Sequence, residues 1–598
     1  MAPRGSVAQP RPMILDAAGN PVWVAEHHYG NVYNLMVQEY RGEPYLTFWA
    51  GNDAVGGHGE GSYFMFDRHY DLYRKLEGAN GLGADLHCFA ITAESTALST
   101  VYEKVRKNLS GVSGVHKGKG WVWESMFQEV DIETGEAIFQ WRASEHVKLT
   151  DSYAKMSAAT EKEPWDFFHI NMIEKDQAGN YLVSSRHLRS ILYVSGQTGE
   201  VLWQLGGHGN SFEDLSGGAA TRFVGQHDAH WENDNHTVIT LFDNGADWGG
   251  DYEKGSTGMR VLVDLERMTA TLDLKLQHPD RIISASQGSY QTLPNGNILL
   301  GYGFNGAMTE FSPNGTLLCD AYFAPSSRFT QGDVQSYRDL KFNWTAFPRT
   351  DPNLVWADGT LYVSWNGATE VKAWMFEDSY TSKHDWRRYD LTARAGFEDT
   401  LELREAQPIR RYVRAVALDH AGKHLRVSPV LDIGSVATDW ESEEARQKAA
   451  EGLAAEAKED THIDTVDDDD ESNHNHKDQN AELRKEVEDI QLLLALGFLA
   501  LVSGLLVAWM TFSWRRRRSM LPWKSVPQED EEVAMDKMEV DSDRPTGFWQ
   551  RLRPRLASVK ERLRDSAQRL LSLRRPAGAA ERNSSEGMLS DVELPTVD

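Results

Sequence analysis

A short hairpin with a polar turn recurs six times in the first half of this chain, and that recurrence restricts the folds open to it. The copies are ILDAAGNPVWVA from Ile14, MFDRHYDLYRKL from Met65, EVDIETGEAIFQW from Glu129, YVSGQTGEVLWQL from Tyr193, LVDLERMTATLDLKL from Leu262 and EFSPNGTLLCDAY from Glu310. Aligned on Asp16, Asp67, Asp131, Ser195, Asp264 and Ser312, they step by 51, 64, 64, 69 and 48 residues. Six units at such loose spacing predict six propeller blades with insertions, not the tight period of a WD40 array.

The stretch Trp165 to Gly207 shows one unit in full. HINMIEK meets a turn at Gln177-Ala178-Gly179-Asn180, YLVSSR and SILYVS follow, and Gln197-Thr198-Gly199-Glu200 turns the chain into VLWQLG. Four short antiparallel strands in about forty residues make one blade. His169, Asn171 and Arg186 interrupt runs that otherwise read as buried strand, and buried polar groups need partners or a ligand.

Each unit also needs an inner strand lining a central channel. LHCFAIT from Leu86, FHINMIE from Phe168, HDAHWE from His227 and QGSYQTL from Gln287 are read as such strands. The first three begin on or beside a histidine, so His87, His169 and His227 are expected to point at one axis. A lone strand histidine is ordinarily a hydrogen-bonded structural residue; recurrence at corresponding positions favours a site. His58, in GGHGEG, is read as a solvated loop residue. His208, His230 and His236 are read as structural or exposed, and His474 and His476 as part of a solvated linker. Asp228 follows His227 directly and should point to the opposite face, bonding backbone or a neighbouring blade.

HDAH in a propeller frame, H-x-N followed about sixteen residues later by Arg, YLTFWAGNDAVGGHGEGSYFMFD near the start and SYRDLKFNWTAFP near the end together resemble the fungal branch of the arylsulfotransferases. The resemblance covers about Arg11 to Pro352 and continues more weakly to Ile433. It implies a six-bladed propeller that moves a sulfuryl group between phenols without a nucleotide donor or cofactor, through a sulfated histidine. Carried over by motif, His227 is the nucleophile, His169 and Asn171 are the H-x-N pair, Arg186 is the arginine of the following strand and His87 is the first-blade histidine. Gln287 or Ser289 supplies a further polar group for substrate binding. No metal ligand is implied.

These residue types suit the chemistry. A neutral imidazole can hold a sulfuryl group on nitrogen, splitting one transfer into two. Arg186 and Asn171 would donate to the sulfuryl oxygens, and His87 or His169 would carry the phenolic proton.

The rest of the chain changes character in steps. Residues 11–351 are assigned to the propeller, whose first blade is expected to be incomplete because MAPRGSVAQPRP has no apolar signal core and a strand begins near Met13. LYVSWNGATEVKAWMFE and RRYVRAVALDHAGKHLRVSPVLDI alternate like a small β-sandwich over 352–434. Residues 435–488, with DTVDDDDESNHNHKDQN, read as an acidic linker. Leu492 to Trp514 holds 23 residues without a charge, enough at about 1.5 Å each to cross a hydrocarbon core of about 30 Å. Arg515 to Arg518 follow at once, so the positive-inside rule sets the C-terminus in the cytosol and the propeller in the lumen or outside. The tail, 515–598, reads as disordered apart from a basic amphipathic helix over 554–575, suited to an anionic leaflet or a partner protein.

Composition refines this outline. The chain has 598 residues with 19 Trp and 49 Gly, in keeping with a β-rich propeller of many turns. Its formal charge of -27 argues against nucleic acid as a partner. Cys88 and Cys319 are the only cysteines and lie in different repeats; a pairing between them is open. Sequons at Asn108, Asn235, Asn314 and Asn343 are compatible with a secreted glycoprotein. No GxxxxGK[ST] loop is present, which counts against a nucleotide-dependent sulfotransferase. The alternatives are an inactive propeller serving as an extracytosolic receptor and a quinoprotein-like oxidoreductase, suggested by TGEVLW.

Overall fold

The computed structural model describes residues 1–112, 118–156, 158–246, 255–403 and 408–434. Among these residues the protein is mainly β, and its helices are single turns such as Ala143–His146. Five antiparallel sheets follow one another, each with four strands paired in chain order. The first contains Asn31–Tyr40, Glu43–Asn52, Glu60–Phe66 and Leu72–Leu76; the second Phe89–Ile91, Thr96–Asn108, Lys119–Asp131 and Ala137–Arg142. The third contains Ile170–Lys175, Tyr181–Ser185, Ser190–Val194 and Val201–Gly206. The fourth is His227–Trp231, Val238–Asp243, Thr257–Asp264 and Thr269–Gln277, and the fifth Ser289–Thr292, Ile298–Gly301, Ala307–Phe311 and Leu317–Tyr322. Two short strands join in parallel at Trp165–Asp166 and Glu213–Asp214.

Five of the six hairpins read from the sequence are the outer strand pairs of these sheets. Their turns close through the residues that marked them. In the third sheet Ser195 Oγ accepts from the Gln197 and Thr198 N–H groups at 3.3 and 3.2 Å, and Gly199 takes φ +76°, a conformation that side chains disfavour.

The sixth hairpin behaves differently. Met13–Leu15 pairs with Pro21–Val24, Met1 and Met13 exchange backbone hydrogen bonds of 3.0 and 3.3 Å, and Arg4–Gly5 pairs with Val334–Gln335. Joined through the Met1–Met13 bonds, these two two-stranded sheets make a composite sheet whose Val334–Gln335 strand comes from the far end of the region.

The innermost strands of the first and second, third and fourth, and fourth and fifth sheets touch, and that of the third touches Thr96–Asn108 of the second. Beyond the fifth, Gly288 N–H donates to Tyr337 O at 3.1 Å, and the Tyr337 ring lies 5.3 Å from that of Tyr33 in the first sheet. The succession of neighbours closes on itself in a propeller-like order.

Between neighbouring sheets lie separate apolar cores. Trp49, Tyr63 and Phe89 fill one, Phe127, Trp141, Phe168 and Tyr181 the next, and Ile191, Trp203, Ile239 and Leu241 a third. Burying one such side chain contributes about 1.5–3 kcal/mol. The buried indoles keep their polar ends satisfied: Trp49 Nε1–H donates to Ala84 O at 3.0 Å and Trp141 Nε1–H to Gly199 O at 2.9 Å. Cys88 is buried, Cys319 is exposed and both are free thiols, so the two do not pair.

After the fifth sheet comes a two-layer unit. One layer is Asn353–Ala357, Thr360–Ser364 and Glu398–Glu402; the other is Ala373–Ser379, Arg387–Ala393, Tyr412–Leu418, His424–Val427 and Leu431–Asp432. Leu361, Val363, Trp374, Phe376 and Val413 are buried between them. Asn366 ties this unit to the composite sheet, accepting from Val24 N–H at 2.9 Å and donating to Val24 O at 2.8 Å.

The expected linker at 435–488, the span Leu492–Trp514, the arginines 515–518 and the basic helix 554–575 all lie outside the described residues. Among the described residues no helix is long and apolar enough to cross a membrane.

Candidate active site

Four residues at the inner ends of the sheets adopt left-handed backbone. Asn34, His169, Asp228 and Gln287 have φ of 57°, 58°, 56° and 66°. Each such conformation costs about 1–3 kcal/mol for a residue other than glycine, and strain of this kind gathers where a site needs it. It also shifts the expected elements. The third inner strand begins at Ile170 and the fifth at Ser289, so His169 and Gln287 sit at strand entrances, as does His87 ahead of Phe89–Ile91.

These entrances surround a cavity of about 240 Å³. His87, His169, Arg186, His227 and Gln287 line it, together with Tyr33, Asp53 and Tyr337. Five residues chosen from the sequence thus converge, although they come from four sheets. Arg186 and His169 are cross-strand neighbours through the Arg186 N–H to His169 O bond of 3.0 Å.

His227 is the most tightly defined of the histidines. Its Nδ1 lies 2.7 Å from Asn244 Oδ1 and 2.9 Å from Gly225 O. Asn244 Nδ2 donates to Ser284 O and Gln287 O, which fixes its amide so that Oδ1 faces the imidazole. Both partners of Nδ1 are acceptors, so Nδ1 carries the proton. The Gln287 N–H donates to Nε2 at 3.2 Å, which identifies Nε2 as the lone-pair nitrogen. Burial first, and then the Arg186 charge, hold the imidazole's pKa well below the usual histidine range, which favours the neutral ring.

His87 and His169 are each held by a carboxylate. His87 Nδ1–H donates to Asp85 Oδ2 at 2.7 Å and His169 Nδ1–H to Asp166 Oδ2 at 2.5 Å, with 4.6 Å between the two ring centroids. Burial pushes both carboxyls up, but the facing imidazoles outweigh it and keep them well below the ordinary carboxylate range. Burial keeps His169 mainly neutral despite Asp166. Both Nε2 atoms are left to accept or return a proton.

Two expected residues are not brought into the cavity. Asn171 is fully buried, and its Nδ2 donates to Gln226 O at 2.6 Å, bracing the residue before His227 instead of facing a substrate. Ser289 is buried against Asp339, its Oγ donating to Asp339 O at 3.2 Å. Gln287 alone of that pair lines the cavity. Asp228 turns away from His227 as expected, accepting from Tyr290 N–H of the next sheet at 2.9 Å and pairing with Arg338 at 2.9 Å.

His58 corrects the reading of its glycine-rich loop. It is 1% exposed, stacked on Tyr102 at 3.8 Å and beside His169 at 5.3 Å. Other participants escaped the sequence reading. Asn244 orients His227, Tyr337 stands between His87 and His227 at 5.9 and 6.3 Å, and Arg4 Nη2 holds both Gln287 Oε1 at 2.6 Å and Gln335 Oε1 at 3.0 Å. Only Tyr337 lay in a quoted motif, SYRDLK.

Residues 36–324 match the family model described as arylsulfotransferase (ASST). No curated protein matches the chain. Among solved structures it is similar to a protein of unknown function from Bacteroides caccae, at 12% identity over 56% of this chain and 97% of that one, with a TM-score of 0.32. It is also similar to the Cps50 (Swd1) beta-propeller domain from Myceliophteria thermophila, at 11% identity, 49% and 88% coverage and a TM-score of 0.28. A third is virginiamycin B lyase from Staphylococcus aureus, at 7% identity, 60% and 94% coverage and a TM-score of 0.30.

Proposed function

We propose that this chain, whose residues 36–324 form a domain of the arylsulfotransferase (ASST) family, transfers a sulfuryl group from an aryl sulfate to a phenol through a sulfohistidine on His227. The observation that carries this reading is the fixed tautomer of His227, with its Nε2 lone pair in a cavity shared with Arg186, His87 and His169.

In the first half-reaction Nε2 attacks sulfur, the bond from sulfur to the aryl oxygen breaks, and the aryl oxygen leaves as phenolate while the His87/His169 pair, each Nδ1–H committed to its carboxylate, keeps its Nε2 lone pairs. In the second, that pair removes the acceptor phenol's proton, the phenolate attacks sulfur and the N–S bond breaks. Arg186 stabilises the sulfuryl oxygens throughout. The Gln287 backbone N–H, 3.2 Å from Nε2, must give up that bond before attack.

The test uses the full-length chain with 4-nitrophenyl sulfate, with and without a second phenol. Acceptor-dependent nitrophenol release supports transfer. Release independent of acceptor makes the chain a sulfatase, and silence across a broad donor panel leaves a binding propeller.

Asn244 gives a graded test of the same geometry. Asn244→Ala removes one acceptor of the His227 Nδ1–H but leaves Gly225 O at 2.9 Å, so the tautomer is weakened and not lost. Turnover should fall about 10- to 100-fold, less than the roughly 10⁴-fold known for a fully misdirected imidazole tautomer. Steady-state kinetics check it; unchanged kcat/KM removes Asn244 from the mechanism.

We further read the five sheets and the composite sheet as a six-bladed propeller of the fungal type, carried outside the cytosol by a single span at Leu492–Trp514. Among the described residues the sequon asparagines Asn108, Asn235, Asn314 and Asn343 are exposed, so each is open to glycosylation on that side. Protease added to sealed microsomes carrying the full-length chain should digest the tail after Arg518 and spare the propeller. The reverse protection pattern overturns the topology.

A further inference from the structure

His58 has no part in the transfer chemistry, yet the fold buries it among ionisable groups. Neither of its ring nitrogens makes a hydrogen bond among the described residues, although the side chain is only 1% exposed. Its Nε2 lies 3.2 Å from Asp166 Oδ2, and the ring is locked between Tyr102 at 3.8 Å and Trp123 at 5.0 Å. Asp166 Oδ1 is a second buried polar atom with no hydrogen-bond partner in the same place. Leaving a buried polar atom unpaired costs about 1–3 kcal/mol, so two such residues in contact point to a ligand that satisfies both.

The geometry identifies the class of ligand. One atom each from His58, Asp166 and His169 lie within 4.8 Å of one another. A second set, His58, Asp85 and His87, is equally compact. There, however, Asp85 is already committed: Oδ1 accepts from Gly59 N–H, and Oδ2 from the backbone and ring of His87 and from Thr100 Oγ1–H. Asp166 retains a free oxygen and Asp85 does not.

We propose that His58, Asp166 and His169 form a binding site for one divalent zinc-like ion beside the cavity. Two imidazoles with one carboxylate suit zinc and its first-row neighbours, whereas magnesium and calcium prefer oxygen throughout. Three protein ligands leave a coordination position for water or a substrate oxygen. The proposal does not rest on sulfuryl transfer; an ion on His169 replaces either its Nδ1–H bond to Asp166 or the proton on Nε2, so His87 then carries the phenolic proton alone.

The test measures metal binding itself. The full-length chain carrying His474→Ala and His476→Ala, which removes the histidines of the acidic tract, is stripped with a chelator and titrated with Zn²⁺ by calorimetry. One equivalent should bind, and His58→Ala should weaken it by about 100-fold or more, given that even supporting groups around metal ligands are worth 10- to 100-fold. His420→Ala, an exposed imidazole, should leave binding unchanged. Because His58 packs on Tyr102, its loss can disturb folding; Asp166→Asn preserves shape and should abolish the visible absorption of the Co²⁺-loaded protein. No stoichiometric Zn²⁺ binding, or undiminished affinity in both His58→Ala and Asp166→Asn, overturns the site. Zinc binding without any sulfuryl transfer leaves it standing and removes only the transfer reading.

Discussion

His227→Ala is expected to abolish both half-reactions, lowering acceptor-dependent transfer by at least about 10⁴-fold, the order seen when a residue of a covalent catalytic unit is disabled. Alanine offers no nitrogen to carry the sulfuryl group, and His87 and His169 are held at other strand entrances by Asp85 and Asp166. A short pulse of donor, followed by digestion and mass spectrometry, should locate sulfation on His227 in the parent protein and none in the variant. Undiminished turnover in a folded His227→Ala protein would remove the covalent route altogether.

Arg186→Ala should be the next most damaging change, at about 10² to 10³-fold in kcat/KM, the range for loss of one preorganised donor to developing charge. Aryl sulfate is already an anion when it binds, so part of the loss should appear as a raised KM and part as a lowered kcat. The sulfohistidine pathway survives, and slow labelling of His227 should persist. The side chain also donates to Ala285 O at 2.9 Å, so thermal unfolding of the variant must be compared with the parent. Unchanged kcat/KM in a folded variant would mean that the sulfuryl oxygens face another donor.

The hairpins were legible because their information is local. Turn residues such as Ser195 and Gly199 act within a few positions, and five of the six outer pairs lie where such residues placed them. The histidines were legible because they recur at corresponding strand entrances. The choice between Gln287 and Ser289 was not, since it depends on the left-handed turn at Gln287 that sends its neighbours in new directions. Asn171 misled for a related reason: a polar residue inside an apolar run announces a need for a partner, and here the partner is the Gln226 carbonyl, 55 positions away. Asn244 and His58 lie in connections between strands, where periodicity carries no signal. Their importance comes from tertiary neighbours, Nδ1 of His227 for one and Tyr102 with Asp166 for the other.

The pairing of Arg4–Gly5 with Val334–Gln335 bears on how the protein is made. Arg4 meets Gln335 across 331 positions of chain. The entropic cost of so wide a closure is modest, since each doubling of a loop adds only about 0.6 kcal/mol, but the delay is long. At about 5–20 residues per second a ribosome needs on the order of 20 to 60 s to deliver the partner strand. Through that interval the strand at Arg4–Gly5 has no mate and the wall formed by Gln335 and Tyr337 does not yet exist. A nascent chain therefore holds all three cavity histidines before it holds an enclosed pocket, and the cavity is complete only when the last segment of the ring has left the ribosome.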